Sequence, residues 1–165
     1  MTDSQTPVPL VRPDRPADAP ALGRLGALMV QEHYEFDPRR FLEPDASTSH
    51  HYGAFLKSQV TEADAVLLVA EQDDQVIGYV YAAVEGYDYM ALRGPAAVLH
   101  DVIVDPGYRA RGVGRALLTA MIAALTARGV PRMVLSTAER NESAQAFFAR
   151  AGFRRTMIEM TRELE

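Results

Sequence analysis

Cysteine does not occur among the 165 residues. Its absence excludes disulfides, thiolate metal sites, iron–sulfur clusters and a cysteine nucleophile, so any chemistry rests on other groups. Long apolar runs are missing too. The longest candidates, Val66 to Ala70 and the threonine-interrupted Ala116 to Leu125, fall well short of the roughly 20 residues that span a bilayer, and no membrane span is expected. Met1-Thr2-Asp3-Ser4 opens the chain without a basic region followed by an apolar one, so no secretory signal is read and a cytoplasmic location is expected. Internal repeats and low-complexity tracts are likewise lacking. What is present suits a folded chain: 48% hydrophobic and 24% charged residues, too apolar for wholesale disorder. A single domain over residues 1–165 is expected, with residues 1–8 frayed.

The net charge of −5 argues against a nucleic-acid partner, which calls for a basic face. The charge is unevenly spread. Residues 1–105 carry 17 acidic and 7 basic side chains, residues 106–165 carry 5 and 10. The first portion suits a cationic ligand and the second an anionic one.

Half of the prolines fall in the first 20 residues, around one short extended segment, Leu10 to Arg12. Leu22, Leu25, Leu28 and Met29 recur at helical spacing, which predicts a helix over Ala17 to Glu32 stopped by the segment His33 to Pro38. A second helix is predicted from Ser47 or Thr48 to Val60, with Tyr52, Phe55, Leu56 and Val60 on one stripe. Ala65 to Glu71 and Val76 to Val84 read as an antiparallel hairpin, and Ala97 to Asp105 as a further strand ended by Pro106-Gly107. From Gly112 the period changes from 2 to 3.6: Val113, Leu117, Met121 and Leu125 mark a helix ended by Gly129-Val130-Pro131. A strand over Arg132 to Thr137, a helix over Asn141 to Ala151 and a final strand over Phe153 to Glu163 complete the order. A strand that feeds a helix and then another strand makes a parallel crossover, here set in a mixed sheet.

One segment concentrates chemistry: a strand through Val102, Ile103 and Val104 enters the turn Asp105-Pro106-Gly107-Tyr108-Arg109-Ala110-Arg111-Gly112-Val113-Gly114-Arg115, which opens the long helix. A helix start presents unpaired amides and a positive dipole end, glycine lets a phosphate approach the backbone, and arginine adds charge-assisted bonds. A pyrophosphate is the natural occupant. Gly107 and Gly112 have Walker A spacing, but Val113-Gly114 stands where Lys and Ser/Thr are required. The dinucleotide fingerprint fails as well, since Leu117 occupies its third small position. His50-His51 do not suggest a metal: adjacent helical histidines point apart and no HExxH accompanies them.

The turn resembles the Gln/Arg-x-x-Gly-x-Gly/Ala signature of the GNAT acetyltransferase superfamily, through Arg109, Gly112 and Gly114. Further on, Asn141-Glu142-Ser143-Ala144-Gln145-Ala146-Phe147-Phe148-Ala149-Arg150-Ala151-Gly152-Phe153 resembles the second hallmark of that family, an Asn followed by an amphipathic helix closing in Gly-Phe. The resemblance covers residues 9–163. It implies an α/β fold of α+β type: a mixed, mostly antiparallel sheet with a central splayed parallel strand pair, flanked by about four helices. It also implies acetyl-CoA as acyl donor, bound between the strand ending near Val104 and the one ending near Thr137. By position, Arg109, Ala110, Arg111, Gly112, Val113, Gly114 and Arg115 would hold the pyrophosphate, the backbone of Val102, Ile103 and Val104 the pantetheine arm and acetyl carbonyl, and Asn141 the pantetheine or thioester end. Dimers are common in the family, and the resemblance extends to a homodimer joined through the final strand.

The implied reaction is transfer of acetyl to a primary amine, most simply a small molecule, by direct attack in a ternary complex. It needs a group to polarise the carbonyl, for which the backbone amide of Val104 is the candidate, and a base. His100 and Asp101 lie on the strand where relatives often carry a carboxylate; alternation admits only one of them to the active face, and His100 shares parity with Val102 and Val104. A histidine also titrates near neutrality. Phe148 departs from the pattern, for many members place there a tyrosine that protonates the leaving sulfur. That departure keeps open a non-catalytic acyl-CoA-binding or sensory module, beside a version that acetylates protein lysines or N-termini. Acceptor recognition is expected in the segments His33 to Phe41, His50 to Tyr52 and Glu85 to Arg93, with Tyr34, Glu35, Tyr87 and Asp88 as candidate contacts to a cationic amine.

Overall fold

The computed structural model describes residues 8–164; of the segment expected to be frayed, residues 1–8, all but Val8 lie outside them. The elements in chain order are β1 (Leu10–Pro13), a single 3-10 turn at Pro16–Asp18, α1 (Ala19–Phe36), α2 (Thr48–Gln59), β2 (Ala65–Gln72), β3 (Gln75–Glu85), β4 (Ala96–Val104), a 3-10 turn at Pro106–Tyr108, α3 (Val113–Ala127), β5 (Met133–Leu135) and α4 (Glu142–Arg150). The strands form one sheet in the order β1-β2-β3-β4-β5. All neighbours are antiparallel except β4 and β5, the parallel pair across α3. The turn between β2 and β3 is built by Asp73 and Asp74, both with positive φ, the geometry that matches the twist of a two-residue hairpin.

β2 and β3 bury consecutive residues, whose side chains point to opposite faces, so the sheet is covered on both faces. Leu22, Leu25 and Leu56 of the first two helices meet Leu67, Val69, Tyr79 and Ile103 on one side. On the other, Leu117, Leu118, Met121 and Leu125 of α3 meet Val66, Val80 and Leu99, with Phe147 and Phe148 of α4 packed beside them. The apolar periodicity of the sequence thus maps onto two layers of helix around one sheet.

Two expectations need correction. α1 does not stop at Glu32 but runs to Phe36. Proline constrains the residue before it, and Asp37, ahead of Pro38, is where the backbone becomes extended (φ −155°, ψ 94°). The final strand does not form either: Phe153 to Leu164 contains no strand, and Met157, Ile158 and Met160 are exposed. This segment is tied instead by ion pairs of Arg40 with Glu159 and of Arg39 with Glu163. Alternation tells which face a strand would bury, and no sheet edge takes up this one. The parallel pair consequently sits at the sheet's edge rather than at its centre.

Candidate active site

β4 and β5 stay paired only from Ala97/Met133 to Leu99/Leu135, whereas β4 continues to Val104. Beyond Leu99 the two chains part. Asp105 donates its amide to the Ile77 carbonyl, and antiparallel alternation carries the amides of Ile103 and Asp101 to the same neighbour. The amides of Val102 and Val104 consequently point away from β3, toward the edge that β5 has left.

A cavity of about 270 Å³ opens at this divergence. Leu99, His100 and Val102 of β4 form one wall, and Leu135, Ser136 and Thr137 follow the departing β5. Asn141, Ala144, Phe147 and Phe148 enter from α4, while Met29, Val30 and His33 of α1, Phe41, Leu42 and Tyr52 close the far side.

Just beyond β4, the turn into α3 is built for close approach. Gly112 has φ +81°, the left-handed region that glycine enters without penalty, and open space lies where its Cβ would be. The first internal bond of the helix runs from the Ala116 amide to the Gly112 carbonyl, so the amides of Val113, Gly114 and Arg115 precede it and remain available. Arg111 and Arg115 are exposed, Arg111 lying over the Tyr108 ring. Arg109 is used differently: its Nε donates to the Val104 carbonyl at 2.9 Å and its guanidinium pairs with Glu32 at 2.5 Å. It fastens the end of β4 to α1. Asn141 lines the cavity while its side-chain oxygen caps α4 by accepting the Ala144 amide, the usual service of an N-cap asparagine.

His100 and Asp101 do not divide between the faces as alternation predicts. The β3–β4 register slips between Tyr81 and Ala82, which pair with Asp101 and Leu99 and leave His100 as the extra residue of a bulge. Both side chains turn toward the α1–α2 layer. His100 stacks on Tyr81 with ring centroids 5.3 Å apart and also borders the cavity. Asp101 is buried, and its Oδ2 accepts hydrogen bonds from Tyr52 at 2.8 Å and Tyr79 at 2.9 Å. Burial raises the pKa of its carboxyl above the ordinary value, against the two hydrogen bonds that favour its charged form. The same burial, with the charge of Asp101, raises the pKa of both phenols.

None of Tyr34, Glu35, Tyr87 and Asp88 lines the cavity. Glu35 accepts from Gln31 on the surface, Tyr87 is exposed, and Asp88 caps its own loop through the amides of Met90 and Ala91. Of the three segments expected on the acceptor side, His33 to Phe41 reaches the cavity through His33 and Phe41 and His50 to Tyr52 through Tyr52, whereas Glu85 to Arg93 does not line it. The signal for His33 was helical phase: one turn beyond Met29 on the buried stripe, it is lost once the helix is ended at Glu32. Its Nδ1 lies 2.8 Å from the Met29 carbonyl, which can only accept, so Nδ1 is the donor of that bond. Among the described residues, no group of three or more His, Asp or Glu side chains is arranged to hold a metal, and no helix is long and apolar enough to cross a membrane.

Comparison with known proteins agrees with this geometry. The acetyltransferase (GNAT) family model matches residues 28–153. The chain belongs to the GNAT acetyltransferase family, whose donor is in general acetyl-CoA. A mycothiol acetyltransferase of Thermobispora bispora is 33% identical over 100 residues, 58% of this chain and 32% of that one; the chain thus spans about a third of the length of the curated relatives it matches. Among solved structures, a transcriptional regulator from Bacillus halodurans superposes with a TM-score of 0.74 at 18% identity over 94% of this chain and 99% of that one. A predicted acetyltransferase from Clostridium acetobutylicum, solved with acetyl-CoA, gives 0.72 at 15% over 93% and 96%.

Proposed function

We propose that this chain is an acetyl-CoA-dependent N-acetyltransferase whose acceptor is a small-molecule primary amine, the amine attacking the thioester directly while both substrates are bound. The observation that carries this reading is the continuity of three features: the available amides at the start of α3, the unpaired edge of β4 beyond Leu99, and the cavity beside that edge. Together they suit a long ligand with an anionic group at one end and a carbonyl at the other. The residues present fit acetyl-CoA. The amides of Val113, Gly114 and Arg115, with Arg111 and Arg115, would hold the pyrophosphate, and the backbone of Val102 to Val104 would hold the pantetheine arm as a neighbouring strand would. Acetyl-CoA supplies an activated acyl group on a leaving thiol. The family membership and the acetyl-CoA found with the Clostridium acetobutylicum protein support the donor; the small molecule named in mycothiol acetyltransferase supports a small acceptor.

This chain's residues have three tasks. The amide of Val104 faces the divergence and would donate to the carbonyl oxygen as charge gathers there. His100 and Asp101 are the two candidates on β4 for the amine's proton, the first bordering the cavity itself and the second reaching it through Tyr52. Phe148, on the cavity wall, cannot protonate the departing sulfur; a thiol with a pKa of about 8.5 leaves tolerably as thiolate. The test is thiol release from acetyl-CoA with spermidine, kanamycin, glucosamine, aniline and a lysine peptide, alongside calorimetric CoA titration of the wild type and Gly112→Asp. Turnover with one non-peptide amine is expected, with CoA affinity weakened at least tenfold by the new carboxylate. CoA binding without transfer to any amine would favour the binding-module reading. Unchanged affinity in Gly112→Asp would overturn the pyrophosphate assignment.

A further inference from the structure

Asp101 is a buried carboxylate, and among the described residues no arginine or lysine pairs with it. Its Oδ2 is held only by the hydroxyls of Tyr52 and Tyr79. Placing a charge in such a position costs stability unless it is compensated. The two tyrosines differ in one respect. Tyr79 is sealed in the core at 0% exposure, whereas Tyr52, from α2, forms part of the cavity wall. The hydrogen of the Tyr52 hydroxyl is committed to Asp101, so what that hydroxyl can offer the cavity is a lone pair. Asp101 itself does not line the cavity. Tyr52 is therefore its contact with whatever the cavity holds.

Resting on the acetyl-transfer reading, we propose that Tyr52 is a catalytic residue that relays the acceptor amine's proton to Asp101. As the amine nitrogen bonds to the acetyl carbon and the carbon–sulfur bond breaks, one N–H proton passes to the Tyr52 oxygen, and the Tyr52 proton passes to Oδ2 of Asp101. The sulfur leaves as thiolate with the electron pair of the broken bond. The amide product is neutral, and Asp101 holds the proton until it is returned through Tyr52 to the thiolate or to water. Atoms and charge balance with no further reactant.

Other titratable groups surround the pair. His33 presents Nε2 from α1. His100 stacks on Tyr81 with its Nε2 3.9 Å from Glu85, and Tyr81 donates to Gln59 from β3. Tyr79 provides the control that separates catalysis from support, because Tyr52→Phe and Tyr79→Phe each remove one hydrogen bond from the same oxygen, but only the first removes a group from the cavity wall.

The experiment measures kcat, acceptor KM, CoA affinity and the pH profile for Tyr52→Phe, Tyr79→Phe, Asp101→Asn, His33→Gln and His100→Gln, with acetyl-CoA and whichever amine of the panel the wild type turns over fastest. Tyr52→Phe and Asp101→Asn are each expected to lower kcat at least 100-fold with CoA affinity unchanged, and the double variant to be no worse than the weaker single, as for groups acting in one step. Tyr79→Phe should stay within about fivefold of wild type, and the histidine variants should keep the wild-type acidic limb. Equal losses in Tyr52→Phe and Tyr79→Phe would make the cluster structural and overturn the relay while leaving acetyl transfer standing. Loss of the acidic limb in either histidine variant would reassign the base, with the same consequence. A wild type inactive on every amine would remove the acetyl-transfer reading and the relay with it.

Discussion

Asp101 and Asp18 show how one residue type serves opposite ends. Asp18 lies beside Arg12 in a buried pair, with Glu71 on the other side of the guanidinium. The Arg12 hydrogen bonds hold its carboxyl below the ordinary range, so its contribution is present at neutral pH and is lost as pH falls through the lowered value. For Asp101 the direction is reversed. Burial raises its pKa, the folded state binds the proton more tightly than the unfolded state, and stability declines as pH climbs from the ordinary carboxyl value through the raised one. Asp101→Asn is accordingly expected to melt above the wild type at pH 7 and level with it near pH 3. Thermal unfolding at the two pH values checks this, and a lower Tm at pH 7 would contradict it. Asp18→Asn should do the opposite, losing about 2–3 kcal/mol at pH 7 in denaturant unfolding because Arg12 is left partly unpaired. The sequence made Asp101 and His100 visible as candidates through their place on a strand. It could not show that a bulge turns both to one side, because a one-residue slip depends on the pairing partner. Nor could it show that Arg109 spends its guanidinium on Glu32 and Val104.

Among the elements, α3 was legible almost to the residue, since Val113, Leu117, Met121 and Leu125 keep one period and Gly112 and Gly129 bracket it. The order of strands and helices up to α4 was legible for the same reason. β5 was not: only Met133 to Leu135 pair, because the strand leaves β4 as the cavity opens, and a run of apolar residues does not reveal where its neighbour departs. The contact of α1 with α2 was also hidden. It depends on Gly26, where a Cβ would collide with the Tyr52 ring. Gly26 is thus the seat of that tyrosine, and Gly26→Ala is expected to push the ring from its hydrogen bond with Asp101, lowering kcat at least tenfold and stability by about 1–3 kcal/mol. Steady-state kinetics with CoA titration reads the first part, and denaturant unfolding reads the second. Wild-type kcat in a folded Gly26→Ala variant would show that the ring's placement is not needed.

Taken as a whole, the molecule joins the two charge regimes of its sequence at one place. The basic turn into α3 lies at the end of β4, and the buried carboxylate of Asp101 lies on the same strand, three residues before Val104. A basic turn and a buried carboxylate thereby meet along a single strand, a juxtaposition that the charge counts alone did not locate. The C-terminal segment follows another rule, for its apolar side chains are outside and its ties to the loop after α1 are ionic. That loop carries Phe41 and Leu42 of the cavity wall. The parting of β4 from β5 has a thermodynamic consequence. In water the amides of Val102 and Val104 should exchange hydrogen at rates typical of a surface loop, while that of Ile103, one residue between them, exchanges only when the sheet opens. CoA lying along this edge would slow the outer pair and add RT ln(1 + [L]/Kd) to the folding free energy, about 2.7 kcal/mol at a hundredfold excess over Kd. The melting temperature of the protein would then track the supply of its own donor.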